Sequence, residues 1–200
     1  MTARDAQTDD ELAMAFSRGD AAAMEALYRR HSAPVLGWLS AMLRDHAEAE
    51  DLSQEIWIRL IRGIGRYRGG NFKAWLWRIV RNAAIDHSRR RADLTILDAP
   101  AGNGADAPPV VDSIPDGDAV SAISRLDAKE AREAILAAIG ELAPQLREVV
   151  LMRVNSDLKF REIADITGLP LGTVLGRMNQ ASKKLKESLI RKGIANDWNP

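Results

Sequence analysis

Phe160 to Lys186 reads FREIADITGLPLGTVLGRMNQASKKLK. The residue types and spacing are those of two short helices joined by a tight glycine turn, an arrangement that can lay a helix in the major groove of duplex DNA. Ala164 stands four residues before Gly168, where two helices that touch require a small side chain. Gly168 suits the turn because it takes positive φ without a Cβ clash. Val174, six residues further on, is placed to pin the second helix. Pro170 and Gly172-Thr173 mark the entry to that helix. For this stretch alone an ordinary helical hairpin is the competing reading.

A second constellation joins aromatics to cations. Tyr67, Phe72, Trp75 and Trp77 lie among Lys73, Arg78, Arg81, Arg89, Arg90 and Arg91. Aromatic faces stack on unpaired bases while neighbouring cations follow the backbone, the chemistry of single-strand binding. Trp75 shares a helical face with Ile79 and is assigned to the core, whereas Tyr67, in a Gly-rich loop, is less easily placed there.

A third constellation is acidic. Asp45, Glu48, Glu50, Asp51 and Glu55 put five carboxylates in eleven residues without one Lys or Arg. Acids early in a helix are favoured by its dipole. The dipole leaves Gln54, Glu55 and Trp57 unexplained; polar residues beside an exposed Trp suggest a protein-docking face.

The elements that must position these groups are helical throughout. Asp10 to Arg18 is a short amphipathic helix. Ala21 to Leu43 carries an apolar stripe (Met24, Leu27, Tyr28, Val35, Leu36, Leu39, Leu43) with a break or bend expected near Pro34. Ala47 to Ile64 repeats Leu52, Ile56, Leu60 and Ile64 at i, i+4 spacing. Glycines 63, 65, 69 and 70 mark a loop around Tyr67, and Phe72 to about Arg90 is helical again. From about Ala92 to Val120 the chain turns rich in Pro, Gly, Ala and Asp, too poor in apolar surface to offset its ordering entropy, and reads as a linker. Helices resume near Ser121, and Pro144 opens the one before the helix-turn-helix. The fold expected is all-α, with two helical domains on a flexible acidic tether.

Formal net charge is zero over 200 residues, but the charges are segregated. Residues 59–91 hold ten bases and one acid, a net +9; residues 92–127 hold one base and seven acids, a net −6; residues 173–192 hold six bases and one acid, a net +5. Screening confines a phosphate's view to about 8–10 Å, so local charge outweighs the total. The chain has no cysteine, which removes disulfides, thiol catalysis and Cys-type zinc sites and fits a cytoplasmic location. No apolar run approaches the ~20 residues that span a bilayer, so no membrane insertion is expected. His31, His46 and His87 are scattered without metal-ligand spacing, and there is no phosphate-binding Gly-Lys loop or Gly-x-Ser-x-Gly elbow. No catalytic residue, metal or cofactor is expected.

These three signals, in this order, resemble bacterial sigma factors of the extracytoplasmic-function type, group IV of the sigma-70 family. AEAEDLSQEIWIRLIRGIGRYRGGNFKAWLWRIVRNAAIDHSRRR is similar to the family's region 2, and LAPQLREVVLMRVNSDLKFREIADITGLPLGTVLGRMNQASKKLK to its region 4. The resemblance implies a region 2 domain over 10–91, a linker over 92–120 and a region 4 domain over 121–192. It implies that Asp51, Leu52, Gln54, Glu55 and Trp57 dock on the core RNA polymerase. It implies that Tyr67, Asn71, Phe72, Arg78, Asn82, Asp86, Arg89 and Arg90 contact the minus-ten element as it melts. It further implies that Gly172, Thr173, Leu175, Gly176, Arg177, Asn179, Gln180 and Lys183 meet the minus-thirty-five element as duplex, and that an anti-sigma factor is a partner.

The chain departs from the usual pattern at Leu175, Gly176, Asn179 and Gln180, where many relatives carry basic, Ser, aromatic or His side chains. Base readout then leans on Asn179 and Gln180, which suit adenine N6 and N7. The seven acids of residues 92–127 either mimic a polyanion in a polymerase channel or merely solvate a spacer. Two rival readings remain on the residues: a stand-alone helix-turn-helix regulator that does not bind polymerase, and a nucleic-acid-processing enzyme using Asp45, Glu48 and Asp51 as metal ligands.

Overall fold

A computed structural model describes residues 6–90 and 128–194. Eight α-helices and one short 3-10 turn account for the regular structure of these residues, and no strand occurs among them. The linker expected over 92–120 lies outside the described residues. The described residues form two compact units, one taking in 6–90 with Leu151–Gly168, the other 128–150 with 169–194.

In the first unit, α1 (Asp9–Ser17) starts at a reciprocal cap: the Thr8 hydroxyl accepts from the Glu11 N–H at 3.3 Å, and the Glu11 carboxylate accepts from the Thr8 N–H at 2.7 Å. Three acids, Asp9, Asp10 and Glu11, then sit against the positive end of the helix dipole. Helix α2 (Ala21–Leu43) continues through Pro34 without a break. The pyrrolidine removes one backbone donor. Val35, Trp38 and Leu39, all fully buried, hold the helix on the core on the far side of it. Arg44, with φ 59°, ends α2, and Asp45 caps α3 (His46–Gly63) by accepting from the Glu48 N–H at 3.1 Å.

A 3-10 turn (Ile64–Arg66) and the loop 67–71 lead into α4 (Phe72–Arg90). Gly69 and Gly70 take φ of 85° and 113° there, conformations closed to most side chains. Asn71 caps α4, its Oδ1 accepting from the Ala74 N–H at 2.9 Å. At the centre of the core Trp38 meets Trp77 edge-on, ring centroids 5.9 Å apart, so α4 is seated on α2 by an aromatic pair.

Helices α5 (Ala128–Glu141), α6 (Pro144–Ser156), α7 (Phe160–Thr167) and α8 (Leu171–Arg191) follow. Pro144 is the first residue of α6, as expected. The buried Arg147 guanidinium donates to the carbonyls of Ile139 (3.1 Å), Gly140 (2.6 Å) and Leu142 (2.8 Å), satisfying the end of α5. Glu141 accepts from the Ser188 hydroxyl at 2.7 Å and pairs with Arg191 at 3.0 Å and Lys192 at 2.8 Å, which fastens α5 to α8. Gly168 closes α7 with φ 72°, its N–H donating to the Ala164 carbonyl at 2.8 Å. This left-handed cap is the turn that the Ala164–Gly168–Val174 spacing predicts, and Ala164 and Val174 are both buried.

Candidate nucleic-acid interface

Helix α4 and its cap present a polar edge opposite a buried apolar face. Phe72, Leu76, Trp77, Val80, Ala83 and Ala84 are buried, whereas Asn71, Arg78, Asn82, Asp86, Arg89 and Arg90 are exposed. The exposed set recurs every three or four residues, the period of one helix edge. That edge continues into a shallow cleft walled by Arg66, Arg68, Asn71, Trp75 and Arg78. Four guanidinium and amide groups around one half-buried indole supply what an extruded base with its phosphates needs: a π-face and cations in reach of it. Asn71 also donates its side-chain amide to the Glu162 carboxylate.

Two residues expected to touch the minus-ten strand are positioned otherwise. Tyr67 is 5% exposed and Phe72 is fully buried. Tyr67 meets Phe72 edge-on (5.9 Å between centroids) and lies tilted against Trp75 (5.2 Å), as Phe72 does at 5.8 Å. The Gly-rich loop folds Tyr67 into an aromatic cluster, where it is nearly buried yet still lines the cleft. Trp75, assigned to the core from its spacing, is half-buried and lines the cleft beside it.

Helix α1 braces this cluster. The Tyr67 hydroxyl donates to the Asp10 carboxylate. Asp9 bonds His31 Nε2 at 2.7 Å and Arg30 at 2.9 Å, and the His31 ring lies against Phe72, 5.9 Å away. Burial by itself would raise the Asp9 carboxyl; the hydrogen bonds and charges of His31 and Arg30 outweigh it and hold its pKa at about 2.

The acidic helix α3 resolves into two faces. Asp51, Gln54 and Glu55 are exposed at i, i+3, i+4 spacing. Leu52 and Trp57, expected beside them on the docking face, are buried: the Trp57 indole turns inward against Tyr28. Much of the acidic cluster has local work. Asp45 is a cap, Glu48 bonds His87 at 3.3 Å, Glu50 faces His46 at 3.4 Å and Glu55 pairs with Arg59 at 2.6 Å. Ile58 and Ile61, which the helical stripe does not mark, are the exposed apolar groups of this helix. Among the described residues no three His, Cys, Asp or Glu side chains converge to hold a metal ion, so Asp45, Glu48 and Asp51 form no such centre.

In α8, Asn179, Gln180, Lys183 and Lys184 are exposed, and Thr173, Leu175, Gly176 and Arg177 are half-buried. The helix begins at Leu171 after Pro170, with no side chain capping it and Gly172 exposed in the first turn. Backbone N–H groups and the positive dipole end are then available to an anion. No described helix is long and apolar enough to cross a membrane.

Comparison with known proteins adds the following. Residues 27–93 match the family model for sigma-70 region 2, and residues 132–185 that for sigma-70, region 4. The chain is 33% identical over 175 residues to the RNA polymerase sigma factor CarQ of Myxococcus xanthus, covering 87% of this chain and 93% of that protein. It is 32% identical to the ECF RNA polymerase sigma factor SigE of Mycolicibacterium smegmatis over 86% of this chain, but spans only 65% of SigE's length. Two solved structures share the fold. CnrH, solved with the cytosolic domain of CnrY, matches with a TM-score of 0.63 at 20% identity, over 92% of this chain and 97% of that one. RpoE of Bartonella quintana, solved with the anti-sigma factor NepR, matches with a TM-score of 0.60 at 22% identity, over 83% and 96%.

Proposed function

The chain belongs to the sigma-70 family of RNA polymerase sigma factors, in its extracytoplasmic-function branch, and on that premise we propose that it directs core RNA polymerase to specific promoters and promotes DNA melting there. It acts by binding, with no catalytic chemistry of its own, and in the cytoplasm, where its polymerase works. Region 2 occupies 10–91 and region 4 occupies 121–192, with 92–120 as the tether.

The observation that carries this reading is the exposed edge of α4, from Asn71 through Arg78, Asn82 and Asp86 to Arg89 and Arg90, running into the cleft beside Trp75. The cations neutralise phosphates and release counterions, so binding falls steeply with salt. Opening one base-pair step costs about 1.4 kcal/mol in lost stacking. An unpaired base stacked on an aromatic side chain returns about 1–3 kcal/mol. Capture of one or two bases in the cleft therefore offsets the opening of as many steps. Trp75 is the stacking group, and Tyr67 and Phe72 support it from below.

Region 4 reads duplex DNA through α8. Gly172 brings its backbone N–H and Thr173 its hydroxyl to a phosphate, Arg177 and Lys183 add charge, and Asn179 and Gln180 face base edges. Core polymerase docks on the exposed face of α3 through Asp51, Gln54 and Glu55, with Ile58 and Ile61 as its apolar part. An anti-sigma factor is a further partner, since RpoE of Bartonella quintana was solved bound to one.

Run-off transcription with purified core polymerase on a genomic promoter library tests the proposal. Transcripts that appear only with this protein are expected. Tight duplex binding in the absence of polymerase, with no transcript, would instead mark a stand-alone regulator.

A further inference from the structure

Two consecutive acids of α1 reach the two buried aromatics beneath the promoter cleft. Asp10 accepts a hydrogen bond from the Tyr67 hydroxyl. Asp9 holds His31, whose ring packs on Phe72. Helix α1 is fixed in turn from the other side: the Arg30 guanidinium donates to the Gln7 carbonyl at 2.8 Å and to Asp9 at 2.9 Å. Residues 9–17 precede the stretch that matches the family model, which begins at residue 27. The brace is therefore supplied by residues that lie before the matched stretch.

The loop needs such a brace. Gly69 and Gly70 leave its backbone free to take many conformations in the absence of a fixed neighbour. Tyr67 is its single buried member, lying between the 3-10 turn and Gly69-Gly70. Its ring packs against Trp75, and the two line the cleft together. A charge-assisted hydrogen bond to a half-buried carboxylate is among the stronger bonds a phenol can make.

We propose that Asp10 is a positioning residue for promoter melting: from α1 it fixes the Tyr67 hydroxyl, and through Tyr67 it holds the aromatic shelf on which an unpaired minus-ten base stacks. The proposal rests on the reading of the α4 cleft given above. Asp10 itself touches no DNA in this account. Its effect is on the strand-capture step and leaves core docking on α3 and duplex reading by α8 unchanged.

The test uses holoenzyme assembled from core polymerase and the full chain, as wild type, Asp10→Ala, Asp10→Asn, Tyr67→Phe and the Asp10→Ala/Tyr67→Phe double variant. The probe is a labelled single-stranded oligonucleotide carrying the non-template minus-ten segment of a promoter found by run-off. Asp10→Ala and Tyr67→Phe should each weaken its binding about ten- to a hundredfold, the effect of losing one hydrogen bond to a charged group. The double variant should lose no more than either single one, because both remove the same bond. Asp10→Asn, which keeps an acceptor oxygen, should recover most of the affinity, and affinity for core should be unchanged throughout. Wild-type oligonucleotide binding by Asp10→Ala, or losses that multiply in the double variant, would overturn the inference while leaving the promoter reading intact. Wild-type holoenzyme that fails to bind the oligonucleotide would overturn that reading, and this inference with it.

Discussion

Trp57 lies edge-on to Tyr28, ring centroids 5.0 Å apart, and this contact turns the indole of α3 away from the surface. Trp57 is 5% exposed and Tyr28 51%, so the phenol covers the indole and presents its own outer face to solvent. The two faces of α3 therefore have separate duties. Leu52, Ile56, Trp57 and Leu60 hold the helix to its unit; Asp51, Gln54, Glu55, Ile58 and Ile61 remain for a partner.

Core docking and fold stability should separate on this helix. Asp51→Lys or Gln54→Ala is expected to weaken core polymerase binding about tenfold or more while leaving the urea midpoint within about 0.5 kcal/mol of wild type. Trp57→Ala should do the reverse, costing about 3–5 kcal/mol of stability through the cavity it leaves. Fluorescence-detected core titration and urea unfolding of each variant check the pair.

On α4, Arg78→Ala should reduce promoter binding by holoenzyme and lower the slope of log affinity against log salt by about 1, the signature of one lost phosphate contact. Trp75→Ala should leave that slope unchanged and cost about 1–3 kcal/mol in capture of the melted strand. Salt titrations on duplex and pre-melted templates measure both.

The α8 contacts should divide by kind. Arg177→Ala or Lys183→Ala should weaken minus-thirty-five binding about evenly across promoter sequences. Asn179→Ala or Gln180→Ala should cost about 1–3 kcal/mol at one base pair and relax preference there alone. Selection from a randomised minus-thirty-five library with each variant holoenzyme reads the difference.

The Asp9 carboxyl, held at about 2 against an ordinary 3.8, ties stability to acid. Its folded pKa lies below its unfolded one, so the stabilisation is complete above about pH 4 and disappears as pH falls through about 2. With allowance for solvent at this half-buried site, the contribution is about 1–2 kcal/mol. Asp9→Asn should flatten the acid limb of the urea midpoint measured from pH 5 down to pH 2.

Helix positions were legible because the apolar spacing is regular and its ends carry strong local signals. Phe72 and Arg90 bound α4 as expected, and the Gly168 turn stands where Ala164 and Val174 require it. What escaped reading depends on contacts distant in sequence. Pro34 is tolerated because buried neighbours on either side of the ring carry the helix past it. The near-burial of Tyr67 depends on Asp10, 57 residues away, a partner that nothing in a Gly-rich loop announces. Trp57 lies one turn from Gln54, at the border of the exposed face, and is buried because Tyr28 covers its indole, a contact that polar neighbours in the chain conceal. The acidic cluster of α3 looked like one feature and is several, since His46, His87 and Arg59 each claim one of its carboxylates.

The most direct test of the central claim is permanganate mapping of unpaired thymines on a run-off-selected promoter, with core polymerase present and this protein added or withheld. Reactive thymines confined to the minus-ten segment, appearing only when both proteins are present and fading in Trp75→Ala, are the predicted result. A promoter that stays closed with both proteins present, on a template this chain binds equally well alone, would contradict it.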